Sequence, residues 1–141
     1  MANVIDMQLM RYINLFARTT RVSTSKVFFY NNQIVFAVPK SKVSLAIGKG
    51  ACNIRKMSET LRKKIKVVVM PKVDDDDGIC KFVESVVSPI EVGGVDLKNG
   101  ILTVNGGRQS KAALIGRNRQ REKELKDVLK SFFGVRGLKI S

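Results

Sequence analysis

Apolar positions along this chain follow two rhythms, one of three to four residues and one of two. Ile5, Leu9, Tyr12, Ile13 and Phe16 recur at helical spacing with Arg11, Asn14 and Arg18 between them, which predicts an amphipathic helix from about residue 6 to 18. Arg18 to Ser25 is polar and reads as a loop. Two β-rich runs, Lys26 to Tyr30 and Gln33 to Val38, flank Asn31-Asn32, and asparagine tolerates the positive φ of a tight hairpin turn. Pro39 ends the second run. A short helix then leads into a small basic turn, Gly48-Lys49-Gly50-Ala51, after which Ile54, Met57 and Leu61 mark a longer helix to about Lys63, and Ile65 to Met70 reads as a strand.

The same order then repeats. Ala113-Leu114-Ile115-Gly116-Arg117-Asn118 matches Leu45 to Gly50 at an offset of 68 residues, and that offset also lays Asn99-Gly100 on Asn31-Asn32, Val104 on Phe36, Leu125 on Met57 and Leu129 on Leu61. Ile79, Phe82, Val83, Val86, Val87 and Ile90 predict the leading helix of the second copy, with Pro89 near its end. Val92 to Leu97 and Ile101 to Val104 form its hairpin. A short helix, the Gly116 turn, a long helix with Leu125, Val128, Leu129 and Phe132, a Gly134 cap and a strand from Leu138 to Ile140 complete it. Each half reads α-β-β-α-α-β, so the expected class is α+β, with helices packed on one face of a three-stranded sheet and a boundary between 1–72 and 73–141.

Charge narrows the function. The 141 residues carry 26 Lys+Arg against 12 Asp+Glu, a formal +14, which suits a polyanionic partner. Residues 1–72 hold 14 basic and 2 acidic side chains, and 73–141 hold 12 and 10, so the first half is expected to supply most of the electrostatic binding. No apolar run nears the ~18 residues of a membrane span and no leader is visible, which excludes a membrane protein and points to the cytoplasm. Cys52 and Cys80 lack metal-ligand spacing and read as reduced thiols, and the chain has no histidine. No acid–base constellation assembles, so neither an enzyme, a cofactor, a bound metal nor a small-molecule substrate is expected. Asp74-Asp75-Asp76-Asp77-Gly78 reads as a solvated linker, with two alternatives: a helix cap at Asp77, or a divalent-cation site.

The turn is the candidate site. Backbone N–H groups opening the second helix lack intrahelical partners, and the helix dipole favours an anion there, so a phosphate fits. Gly48 and Gly50 would let the backbone approach it. Lys49 and Arg117 stand at the two tips, where each would donate charge-assisted hydrogen bonds. Lys40, Lys42, Arg55 and Lys56 either extend a positive track or are simply solvated. Ile47, Ile54, Val67 and Val69 read as core, and most phenylalanines fall at core-periodic positions, which leaves little aromatic stacking for bases.

An isoleucine, a Gly-x-x-small turn and a later isoleucine, here Ile47, Gly48 to Ala51 and Ile54, resemble the signature of the type II KH domain. Two tandem copies resemble the family of archaeal NusA-like transcription termination factors. That resemblance implies two tandem type II KH domains whose loops clamp the backbone of about four single-stranded nucleotides. It implies single-stranded RNA as ligand, RNA polymerase as a further partner, and a role in elongation, pausing or termination; a ribosome-associated or RNA-processing KH protein is the alternative. The RNA-binding positions would be Ile47, Gly48, Lys49, Gly50 and Ala51 with Lys42, Arg55 and Lys56, then Gly116, Arg117, Asn118 and Arg119. Two positions depart from the signature. Ala51 replaces the last glycine, which preserves close approach if its φ is negative. The second copy has Arg119 there, where the side chain either covers the phosphate site or binds phosphate itself, and Glu122 at the later isoleucine position.

Overall fold

The computed structural model describes residues 7–24, 26–72, 74–88 and 90–141; Ile5, Ser25 and Pro89, which figure in the expectations above, lie outside them. The chain divides into two compact units, Met1–Met70 and Pro71–Ser141. Both are mixed α+β units with a three-stranded sheet. The first runs α1 (Met7–Thr20), β1 (Val27–Tyr30), β2 (Gln33–Val38), a single 3-10 turn at Lys40–Lys42, α2 (Val43–Ile47), a second at Lys49–Ala51, α3 (Cys52–Leu61) and β3 (Lys64–Val69). In the second the order is α4 (Asp76–Val87), β4 (Gly94–Lys98), β5 (Ile101–Asn105), α5 (Gly107–Ile115), a 3-10 turn at Arg117–Arg119, α6 (Gln120–Phe133) and β6 (Gly137–Ile140).

In each sheet the second strand is central, antiparallel to the first and parallel to the third. Phe36 sits between Val27 and Val67, and Val104 between Val95 and Ile140. The hairpin turns have positive φ at both central residues, Asn31 (53°) and Asn32 (60°), then Asn99 (53°) and Gly100 (78°), the twist that matches flanking strands. Because side chains alternate along a strand, Ile34, Phe36 and Val38 share one face. That face meets Tyr12 and Phe16 of α1, Ala46 of α2 and Met57 of α3 in one buried cluster, with Ile54, Leu61 and Val67 partly buried against it. Phe16 stacks on Phe36 at 4.2 Å between ring centroids.

Three local details differ from the expectations. Helix α1 continues to Thr20, two residues further than its apolar stripe predicts. The Thr20 hydroxyl donates to Phe16 O (2.7 Å) and accepts from Val22 N–H (3.0 Å), while Arg21, at φ 61°, donates its N–H to Ala17 O, so the orphan end groups are satisfied locally. Helix α4 begins inside the aspartate run. Asp75, not Asp77, is the cap: its carboxylate accepts from Gly78 N–H at 3.0 Å, and Asp76 and Asp77 occupy the first turn, where the helix dipole favours negative charge. The run is therefore a helix start more than a linker. In α6, Phe133 is buried while Phe132 is half-buried, because Phe133 meets Phe82 edge-on at 5.2 Å. Gly134 ends that helix at φ 67°, donating to Lys130 O as expected of a glycine cap.

Candidate nucleic-acid interface

The two basic turns have the same backbone. Gly48 lies at φ 81°, ψ 166° and Gly116 at φ 76°, ψ 173°; Gly50 and Ala51 follow at (61°, 27°) and (60°, 29°), Asn118 and Arg119 at (57°, 29°) and (59°, 24°). The hydrogen bonds repeat too. Gly48 N–H donates to Ser44 O and Ala51 N–H to Gly48 O, just as Gly116 N–H donates to Ala112 O and Arg119 N–H to Gly116 O. Cys52 and Gln120 then donate to Lys49 O and Arg117 O as the long helices begin. The N–H groups of Lys49 and Gly50, and of Arg117 and Asn118, have no acceptor among the described residues. Each loop thus presents two unpaired donors beside an exposed cation at the positive end of a helix, a cradle suited to one phosphate.

Ala51 has a left-handed backbone, contrary to the negative φ that the sequence reading required of it, and Arg119 shares it. For a residue with a Cβ this conformation costs about 1–2 kcal/mol. Glycine is needed more strictly at the first loop position, whose φ and ψ lie where essentially only glycine goes. A Cβ on Gly48 would stand 2.9 Å from Asn53 Cγ and from Cys52 Sγ, and one on Gly116 would stand 2.5 Å from Arg121 Cγ. Gly50 is different: its Cβ would meet nothing nearer than Arg55 Nη2 at 4.0 Å, which also places that guanidinium over the loop.

Lys49 and Gly50 are exposed at the first tip, Gly48 and Ala51 half-buried on its shoulders, and Arg55 and Lys56 exposed on the first turn and a half of α3. Ile47, half-buried, ends α2 against the loop. Lys42 is exposed too, but at the far end of α2, about 7 Å along its axis from the loop. In the second unit Gly116 is half-buried and Arg117, Asn118 and Arg119 are exposed; Arg119 does not fold over its loop into burial. Val69 is not core, being 38% exposed, and Leu45 on α2, three residues before the loop, is 52% exposed.

One residue escaped the sequence reading. Asn53 Nδ2 donates to Leu45 O at 3.1 Å, tying the start of α3 back to α2 and holding the loop shut between them. Its counterpart at the same offset is Arg121, whose guanidinium pairs with Glu124 at 2.5 Å. The duplication itself was the signal, since both side chains occupy the space that a Cβ on the first loop glycine would need.

Residues 11–77 match the KH domain family. The match takes in the whole of the first loop with α2, α3 and β3. Over 132 residues the chain is 24% identical to the "Probable transcription termination protein NusA" of Methanococcus vannielii, covering 91% of this chain and 73% of that protein. It is also similar to the crystal structure of APE1850, at 26% identity and a TM-score of 0.65, covering 97% of this chain and all of that one.

Charge around the second loop is more positive than the total for residues 73–141 indicates. The Cys80 thiol on α4 is pushed above its ordinary value by burial and then by Asp96, Asp77, Asp76 and Glu84, while Glu122 and Glu124 stand at the start of α6. Residues 106–141, which hold α5, the loop and α6, carry 10 basic and 3 acidic side chains. Among the described residues no three acidic, cysteine or histidine groups stand together to hold a metal ion, and no helix is long and apolar enough to cross a membrane.

Proposed function

We propose that this protein binds single-stranded RNA through both loops, as two tandem type II KH domains, and acts without catalysis in the transcription machinery. The observation that carries the reading is the duplicated loop backbone, with paired free N–H groups and an exposed Lys49 or Arg117 at the tip. Such a loop recognises the sugar-phosphate backbone and leaves base identity to the neighbouring groove. The KH match supports RNA as the ligand. A role in elongation, pausing or termination, contact with RNA polymerase and a cytoplasmic location draw support from the likeness to the archaeal NusA-named protein.

The test is a loop substitution that spares the fold. Gly48→Asp would collide with Asn53, so the suitable pair is Lys49→Asp with Gly50→Asp: Gly50 has open space, and Asn118 already occupies its counterpart. Binding of a fluorescent single-stranded RNA decamer should weaken by more than about tenfold, since two negative charges replace a phosphate-binding cation at an exposed contact. Unchanged affinity, with the fold shown intact by circular dichroism at the titration temperature, would rule out the clamp.

A further inference from the structure

The first unit also has a polar cleft at the opposite end of α3 from the loop. It measures about 430 Å³ and lies between α1, which supplies Gln8, Arg11, Tyr12, Asn14 and Arg18, and the end of α3 at Thr60. Arg11 and Arg18 are seven residues apart, two turns on one helix face, and both are exposed. No carboxylate lines the cleft, and neither arginine forms an ion pair among the described residues, where Glu59 is the single acid of this unit. Tyr12 is 6% exposed, and its hydroxyl oxygen accepts from Gln8 Nε2 at 2.8 Å, which fixes both side chains at the cleft wall. Thr60 has its hydroxyl committed to Lys56 O. Among the described residues the cleft therefore offers two arginines and the Asn14 amide with no negative side chain in its lining. The negative end of the α3 dipole is nearby, but it amounts to about half a charge against two guanidinium groups.

We propose that this cleft holds phosphate groups of the RNA strand beyond the part clamped by the loop. The proposal rests on the RNA-binding reading above. Cys52 and Leu61 bound α3, so about 13 Å of helix separates loop from cleft. An RNA of about four nucleotides fills a KH loop alone, whereas a decamer is long enough to continue to the cleft. Polynucleotide is favoured over a free mononucleotide because the two arginines are two turns apart and sit on a unit whose described charged side chains are all basic except Glu59.

The experiment compares the whole chain with Arg11→Gln/Arg18→Gln, measuring anisotropy of a labelled tetramer and decamer across a salt series. The control, Arg136→Gln/Lys139→Gln, removes the same charge from exposed positions in the second unit. For the decamer the cleft pair should lose about tenfold in affinity and lower the log–log salt slope by about 1.4, two phosphate contacts' worth, while the tetramer is unchanged. Restoring charge as Arg11→Lys/Arg18→Lys should return the slope. If the cleft pair changes decamer binding no more than the control does, or affects tetramer and decamer equally, the cleft is no part of the RNA path. Uridine monophosphate at millimolar concentration displacing the decamer from the wild type but not from the cleft variant would reassign the cleft to a free nucleotide and overturn the proposal. Failure of the wild type to bind any RNA overturns the parent reading, and this inference with it; loss through Lys49→Asp/Gly50→Asp alone leaves the parent reading standing and removes only the cleft.

Discussion

Arg119 combines backbone strain with a proposed phosphate contact, and two substitutions separate the effects. At φ 59°, ψ 24° its Cβ crowds the following carbonyl, which costs about 1–2 kcal/mol. Arg119→Gly relieves that, but glycine loses more backbone freedom on folding, about 0.5–1 kcal/mol. The side chain is exposed and its removal forfeits little packing. The net expectation is a gain of about 0.7 kcal/mol, or roughly 3–5 °C in the melting temperature of a unit this size. Arg119→Ala keeps the strain and gains nothing, yet both variants lose the guanidinium. Scanning calorimetry should therefore separate glycine from alanine, while RNA titrations should show the same loss in each, a fall of about 0.7 in the salt slope if one phosphate contact disappears. Equal melting temperatures for the two variants would refute the strain argument. An unchanged salt slope in both would refute the phosphate contact and leave Arg119 as a strained surface residue.

Two further outcomes follow from the same geometry. Gly48→Ala should destabilise the first unit by about 2 kcal/mol in urea titrations, since its φ and ψ suit glycine alone and Asn53 must give up the bond to Leu45 O to make room; Gly50→Ala should cost noticeably less. Cys80 should alkylate more slowly than exposed Cys52 at pH 8 and speed up as pH rises, because burial and the four carboxylates favour its protonated form. Asp96→Asn should accelerate it at fixed pH, as followed by mass spectrometry with iodoacetamide.

The element order was legible because each element is announced locally. Period 3.6 marks α1, α4 and α6, period 2 with Asn31-Asn32 or Asn99-Gly100 marks the hairpins, and the offset of 68 lets each half check the other. The family resemblance rested on the same local run, Ile47 to Ile54. Loop position and tip charges were readable for that reason too. Helix ends were less so: Thr20 and Asp75 act through hydroxyl and carboxylate bonds whose partners depend on where neighbouring backbone turns.

The sequence by itself determined the two-unit α+β pattern, the basic Gly-x-x-x turns and the overall positive charge, since periodicity, glycine and charge need only the string. The tertiary structure decided what depends on placement in space. It set the positive φ of Ala51 and Arg119, because the loop must turn into a helix held by Asn53 or Arg121 whatever residue is present. It exposed Val69, which the sequence pattern assigns to the core, because burial depends on which elements cover a side chain. It also brought Arg11 and Arg18 to the end of α3 with no acid between them, a juxtaposition of residues about 50 apart in sequence that no local pattern encodes.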